Sequence, residues 1–337
     1  MSRPAPTAPT VAAPGKLFLA GEYAVLEGAP AVLAAAATPA GVATARFEPG
    51  QAPTSAVIAA ATTHARAALA ACGLALPEGA ARVDTTAFLH EGVKLGLGSS
   101  AAAAVTAVAA AFVHGGLVLA DQLPLLRATA DAAHRVAQGG VGSGGDIAAS
   151  VHGGFLRFAR AAVDGDDGEA SATAVTPLDR PAGLTLVTFW TRSAARTPDF
   201  ISGVRRFAAA NPAAHRQRMA ELATRAGRFA DVFARDPRAT VHAAAAYGEA
   251  MAALGRDAAL PIVIPAVAHA AALAVDLGGA AKPSGAGGGD MGIAFFAEKA
   301  AAEAFAARCP EGVLVLDIRL GVAGATPLTP LKPLKED

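Results

Sequence analysis

A chain of 337 residues is too long for one small core and fits one large domain or two ordinary ones. Hydrophobic residues make up 53%, mostly alanine, and aromatics only 5%, which excludes general disorder and points to a core of aliphatic side chains. Lysine plus arginine balance aspartate plus glutamate at 28 each, so nothing overall favours nucleic acid or an anionic membrane, and the two cysteines, Cys72 and Cys309, make neither a disulfide framework nor a metal cage.

The opening MSRPAPTAPTVAAPGK is proline-rich without an apolar h-region and reads as a loose tail over residues 1–12, not a signal peptide. KLFLAGEYAVLEGAPAVLAAAA reads as two short strands joined by a Glu-Gly turn, then more strand. The apolar stretch Ala29 to Ala45 is broken by Pro30 and Pro39, and the run Ala101 to Val113 ends at HGG. Neither reaches the roughly 20 apolar residues of a membrane span, so a soluble cytoplasmic protein is expected.

A helix is predicted over Ser55–Ala71, a strand over Ala81–Leu89 and an apolar helix over Ser99–His114. Asp121–Gln138 is amphipathic, with Leu125, Leu126, Ala132, Ala133 and Val136 at helical spacing and Thr129 on the same face. GGVGSGGDIAASVHGG is a glycine loop with a short helix inside it, FLRFARAAV a strand, and DGDDGEASA an exposed hairpin tip. PLDRPAG breaks the pattern, which divides the chain into units 13–182 and 183–337. The second unit reads as a strand, LTLVTFW, then helices near Pro198–Ala210, Pro212–Ala234, Ala239–Leu254 and Ile262–Leu277. A third glycine loop, AKPSGAGGGD, precedes a strand MGIAFF, a helix Glu298–Arg308 and a strand VLVLDIRL. Helix and strand mix without steady alternation, which favours α+β over a doubly wound sheet.

GVKLGLGSSAAAAV, from Gly92 to Val105, places a glycine- and serine-rich turn directly before a buried helix. Such a turn lets backbone approach a ligand closely, and the helix N-terminus behind it offers unpaired N–H groups and a positive dipole end, a natural seat for phosphate. The plain alternative is a flexible loop before a core helix. No G-x-x-x-x-G-K-[ST] is present. GVGSGG, from Gly140 to Gly145, satisfies G-x-G-x-x-G but follows a helical segment, so the dinucleotide reading loses its context.

Three separated elements, APGKLFLAGEYAVL, GLGSSAA and KPSGAGGGDMGIAF, span nearly the whole chain. In this order and spacing they resemble the GHMP kinase superfamily. That resemblance implies a two-domain α+β fold with ATP bound between the halves. Finer details resemble the bacterial-type phosphomevalonate kinases: Tyr23 where mevalonate kinases usually carry histidine, Lys94 before the glycine loop, and FWTRSAARTPDF, which departs at Arg196 where a small hydroxyl residue is expected.

The resemblance implies roles. Lys94, Gly96, Leu97, Gly98, Ser99, Ser100 and Ala101 form the ATP phosphate loop, and Ser100 places its hydroxyl on Mg²⁺. Helix capping by Ser99 and Ser100 is the ordinary alternative. Lys16 stands by the transferred phosphoryl and pairs with Asp146. Both are flanked by apolar or glycine residues, where a charge needs a partner. Glu22 assists Mg²⁺, positions a loop, or is a solvated turn residue. The acceptor side comprises Tyr23, Ser143, Gly144, His152, Arg196, Thr197, Lys282, Ser284, Gly285 and Gly287, with Gly288 and Gly289 easing close approach and Asp290 pinning that loop.

A hydroxyl acceptor would need a general base, for which Asp146 is the candidate. A phosphomonoester is already largely dianionic at neutral pH and needs positive charge instead. Lys16, Lys94, Arg192, Arg196, His152 and Lys282 are the candidates, with Lys94 and Lys282 foremost. The expected activity is ATP- and Mg²⁺-dependent phosphorylation of 5-phosphomevalonate to 5-diphosphomevalonate. Mevalonate kinase or another kinase of the superfamily is the first rival, and a ligand sensor that kept the fold the second. Partners are the two small-molecule substrates, with a homodimer as the compatible self-association.

Overall fold

A computed structural model describes residues 9–140, 142–160, 174–193 and 197–328. The chain begins with β1 (Thr10–Ala13), which stops at Pro14, a residue with no N–H to give, and continues as β2 (Gly15–Ala20). β1 pairs antiparallel with strands from elsewhere in the chain, so the expected tail of residues 1–12 is already sheet from Thr10. After β2 the chain does not run on as strand to the Glu-Gly turn. Gly21 (φ 101°) and Tyr23 (φ 63°) turn the backbone into a 3₁₀ helix at Ala24–Glu27, closed by Gly28 in the left-handed region. β3 (Ala31–Ala37) follows, buried along its whole length.

The first half continues with β4 (Ala43–Pro49), α1 (Ala56–Ala71), β5 (Gly79–Asp84), a small hairpin of β6 (Leu89–His90) and β7 (Val93–Lys94), then α2 (Ser99–His114), α3 (Leu123–Ala137), α4 (Gly145–His152), β8 (Phe155–Ala159) and β9 (Ala174–Leu178). Ser55 caps α1 by accepting from Ile58 N at 3.3 Å. α2 is apolar all round because it runs through the core, packed by α1, α3, α4, β4 and β5. α3 starts two residues later than expected, behind a 3₁₀ turn at Leu119–Gln122. Its buried face is Leu126, Thr129, Ala130, Ala133 and His134, while Val136, expected inside, is 65% exposed. The expected hairpin tip DGDDGEASA lies outside the described residues.

The second half runs β10 (Thr185–Trp190), α5 (Thr197–Ala210), α6 (Pro212–Val232), α7 (Pro237–Asp257), α8 (Pro265–Asp276), β11 (Ala280–Pro283), β12 (Met291–Phe296) and α9 (Lys299–Ala307). Proline at the first positions of α6, α7 and α8 gives up only N–H groups that would be orphaned anyway. VLVLDIRL does not form one strand. It breaks at Asp317 into β13 (Leu314–Leu316) and β14 (Arg319–Leu320), followed by β15 (Thr326–Leu328).

The break matters for the architecture. One sheet has the order β15-β1-β4-β5, a second β14-β3-β8-β9 with β2 also on β3, and a third β11-β12-β10-β13. β13 therefore stays with the second half, while β14 and β15 return to the sheets of the first. The unit 183–337 is thus not self-contained. One core cluster also joins the halves, packing Leu19, Tyr23 and Val32 with Leu222, Phe229 and Tyr247. Among the described residues, no helix is long and apolar enough to cross a membrane.

Candidate active site

The three motifs, far apart in the chain, meet in space. Lys16 N donates to Leu97 O at 2.8 Å, joining the first to the second. Gly96 lies against Asp290, whose Cβ would be 2.6 Å from a Cβ placed on the glycine, joining the second to the third. Phe18 N donates to Ser284 Oγ at 2.9 Å, Ser284 Oγ donates to Phe18 O at 3.0 Å, and the Tyr23 hydroxyl donates to Ala286 O, joining the first to the third. Asp290 is held by its backbone, donating to Ser193 O and accepting from Thr191 N, so it does pin the third loop.

α2 opens at Gly98, in the left-handed region at φ 77°, and no side chain caps its N-terminus. Neither Ser99 nor Ser100 is the cap, contrary to the ordinary expectation for serines there. The first intrahelical bond is Ala102 N to Gly98 O at 3.1 Å, so the N–H groups of Ser99, Ser100 and Ala101 precede the helical ladder. The Lys16 stem runs beside Gly98, with Cε 3.1 Å and Cγ 3.2 Å from where a Cβ would stand. A side chain on residue 98 would displace the lysine. Lys94 stands exposed on β7, just before the loop.

Ser100 Oγ lies 3.2 Å from His134 Nε2, which is also 2.9 Å from Gln138 Nε2. This contact was not anticipated from the sequence. The signal was a histidine among Leu126, Ala130 and Ala133 on the buried face of α3, a position that needs a polar partner.

α4 repeats the design of α2. Its N-cap is Gly144, at φ 81° and without a side-chain cap, and a Cβ there would come 2.7 Å from Asp131 Oδ1. Ser143 Oγ accepts from Gly145 N at 3.2 Å, which shapes the turn. Asp146 sits in the first turn of α4, where the helix dipole favours a carboxylate. α4 packs on β2, so Asp146 and Lys16 occupy neighbouring elements. The direct pair expected between them is nevertheless not formed: among the described residues, no ion pair joins them. Asp146 Oδ1 accepts from Ile147 N at 3.1 Å, and Lys16 Nζ lies 5.4 Å from the Phe18 ring centroid, each held by its local surroundings.

Two further expectations are corrected by burial. Lys282 belongs to β11, not to the third loop, and is 1% exposed. Its Nζ donates to Glu22 Oε1 at 2.5 Å and to Pro283 O at 2.7 Å. Burial pushes the Lys282 ammonium below its ordinary pKa, and Glu22 opposes that shift. Lys282 is therefore committed to Glu22 and does not reach an acceptor anion. Glu22 Oε1 is in turn held by Lys282 and by Gly285 N, and its carbonyl accepts from the Tyr247 hydroxyl at 2.6 Å, which anchors it structurally and leaves Oε2 buried without a hydrogen-bond partner. Burial, then the Glu22 charge, raises the Tyr23 phenol well above its ordinary pKa and keeps it a donor.

His152 lies at the far end of α4 from Asp146. Burial, then the Arg127 charge, lowers its pKa from 6.5, so it is neutral at neutral pH and supplies no cation. Gly287 is pressed against the Ile262 carbonyl, so its freedom serves packing, whereas Gly285 has open space on its Cβ side. Thr197 is the exposed first residue of α5, Arg192 is also exposed, and Arg196 lies outside the described residues.

Beside these motifs lies a cavity of about 300 Å³. Tyr23 and Gly142 line it on the motif side, and Arg160, Arg205 and His215 line it elsewhere. None of these three basic residues was singled out from the sequence, because each sits in an ordinary amphipathic or strand-end context.

Comparison with known proteins identifies the family. The family described as GHMP kinases N terminal domain matches residues 90–154, and GHMP kinases C terminal matches residues 239–313. The phosphomevalonate kinase of Streptomyces sp. (strain CL190) is 32% identical over 379 aligned residues, covering 96% of each chain. The crystal structure of Streptococcus pneumoniae phosphomevalonate kinase in complex with phosphomevalonate and AMPPNP shares the fold at a TM-score of 0.78 and 20% identity, covering 92% of this chain and 99% of that one. Mevalonate kinase from L. major, in complex with R-mevalonate, shares it at a TM-score of 0.63 and 16% identity, covering 96% of this chain and 100% of that one. With both halves matched by the superfamily and a curated relative matched from end to end, the chain belongs to the GHMP kinases and, within them, to the phosphomevalonate kinase family.

Proposed function

We propose that the protein transfers the γ-phosphoryl group of ATP to (R)-5-phosphomevalonate, giving (R)-5-diphosphomevalonate and ADP in the mevalonate route to isoprenoids. The observation that carries this reading is the start of α2: a left-handed glycine cap with no side chain on it, and the Lys16 stem laid beside it. Oriented N–H groups and a cation at one point are what a transferring phosphoryl group needs, since its chemistry is mostly positioning and charge stabilisation.

In the reaction, an acceptor phosphate oxygen forms a bond to the γ-phosphorus, and the bond to the β–γ bridging oxygen breaks with its electron pair leaving on ADP. No proton need be removed from a dianionic acceptor. Lys16 offsets the charge that builds on the transferred group. The Ser99, Ser100 and Ala101 N–H groups hold the phosphates. Asp146, in the first turn of α4 beside β2, orients the acceptor instead of serving as an obligate base. Lys94, exposed before the loop, adds positive potential along the triphosphate.

Among the described residues, no group of three His, Cys, Asp or Glu side chains is placed to hold a metal ion. The donor set fits a Mg²⁺ that arrives on the triphosphate and needs only one or two protein oxygens, of which Ser100 Oγ, backed by His134, is the one at hand. Such an ion would supply positive charge to offset that on the phosphate oxygens. Both substrates are water-soluble, and the reaction belongs in the cytoplasm.

The test is a coupled ADP-release assay of the full chain with mevalonate, phosphomevalonate, homoserine and galactose. Turnover is expected with phosphomevalonate. Preference for mevalonate would move the chain to the first rival, and no turnover with any of the four would favour a ligand sensor.

A further inference from the structure

We propose that the cavity beside the motifs holds the carboxylate end of the acceptor, with Arg205 and Arg160 as its clamp. The inference rests on the kinase reading above and adds how this acceptor is told from other phosphomonoesters. Phosphomevalonate carries two anions: the phosphate that reacts and a carboxylate at the other end of a short methyl-branched chain. With the phosphate at Lys16 and the start of α2, the carboxylate must lie away from the triphosphate, where a second source of positive charge is needed. Of the cations that sequence patterns suggested for the acceptor, Lys282 is buried against Glu22 and His152 is neutral at the far end of α4, so neither is free to supply it.

The cavity supplies it. Its volume of about 300 Å³ is at the lower end of small-ligand sites, suited to a six-carbon acid. On the motif side it begins at Tyr23, whose hydroxyl is tied to the third loop, and at Gly142, in the loop that leads into Asp146. Beyond them, basic groups converge from three separate elements: Arg160 at the end of β8, Arg205 on α5 and His215 on α6. The lining also includes the apolar Leu26, Ile201, Val204 and Met219, which suit a methyl-branched chain. Among the described residues, Glu27 is the one carboxylate in the lining. Its Oε1 lies 3.8 Å from His215 Nε2 and its side chain is half exposed, so two arginines still outweigh it. Arginine is the residue suited to this task, because its planar fork matches a carboxylate in a two-point contact.

The experiment is steady-state kinetics of the full chain with two acceptors: (R)-5-phosphomevalonate and 3-hydroxy-3-methylpentyl phosphate, in which a methyl group replaces the carboxylate. Arg205→Gln and Arg160→Gln should each raise KM for phosphomevalonate by about 10- to 100-fold, the effect of losing a hydrogen bond to a charged group, and leave KM for ATP unchanged. Arg205→Lys should recover part of the loss. The methyl analogue should bind the wild type weakly and lose nothing more in the glutamine variants. A wild type that turns over phosphomevalonate with a KM indifferent to both arginines overturns the clamp and leaves the kinase reading standing. So does an equal loss for both acceptors. A wild type inert toward phosphomevalonate overturns both.

Discussion

Lys282 and Glu22 form a buried ion pair across 260 residues of sequence, Nζ to Oε1 at 2.5 Å, with side chains 0% and 2% exposed. The pair ties β11 to the turn after β2, directly under the third glycine loop. Lys282→Met leaves a carboxylate buried with no counter-charge, and breaking such a pair costs about 3–5 kcal/mol. Urea unfolding should show that loss. The double variant Glu22→Gln/Lys282→Met, which removes both charges, should recover much of it. A single variant within about 1 kcal/mol of the wild type would mean that water replaces the lysine.

Gly98→Val places a branched side chain at a left-handed position and against Lys16. The backbone strain alone costs about 1–2 kcal/mol. Gly50→Val is the control, since Gly50 has nearly the same φ, 78° against 77°, and nothing within 4 Å of its Cβ position. The two variants should lose similar stability, but only Gly98→Val should lose ATP affinity, by about tenfold or more, in equilibrium titration. Equal ATP affinities would make the loop a linker.

Ser100→Ala should raise the Mg²⁺ concentration needed for half-maximal activity. It should leave the unfolding temperature nearly unchanged, because Gly98, not a serine, is the N-cap of α2. A loss of about 1 kcal/mol without any change in the Mg²⁺ titration would instead limit the hydroxyl to its contact with His134.

Asp146→Asn separates a positioning carboxylate from an obligate base. General bases contribute roughly 100- to 10,000-fold, and the loss here should fall near the low end. With phosphomevalonate, the acid limb of the pH–rate profile should track the second ionisation of the acceptor phosphate, about pH 6, in both proteins. An acid limb that disappears in the variant would show that Asp146 takes a proton.

His152 predicts how stability responds to pH. Its folded pKa lies below 6.5, so the unfolded chain binds the proton more readily. Stability therefore holds above pH 6.5 and falls as the pH drops through that value toward the depressed folded pKa. Thermal unfolding between pH 5 and 7.5 should show a steeper acid loss in the wild type than in His152→Gln. Parallel curves would remove the histidine as the cause.

The elements that dictate their own backbone were legible in the sequence. The glycines of GLGSSAA and GVGSGGDIAAS announce turns that other residues adopt only under strain, and the apolar run after Ser99 announces a core helix, because both signals are local. The three motifs, read together, identified the family. What the sequence left open depends on what folding brings alongside. The pairing of Glu22 with Lys282, the contact of His134 with Ser100 and the meeting of Arg160, Arg205 and His215 at one cavity join residues with no sequence relationship, so Glu22, Lys282 and Ser100 read as ligand-binding candidates, and His134, Arg160, Arg205 and His215 as ordinary core or surface positions. The buried face of α3 escaped for a related reason: which side of the helix its neighbours cover is decided by packing, which leaves Val136 outside and His134 inside. VLVLDIRL reads as one strand because strand propensity does not record which sheet receives it. Only tertiary pairing sends Leu314–Leu316 to β10 and Arg319–Leu320 to β3, returning the end of the chain to the half that carries Lys16 and Asp146.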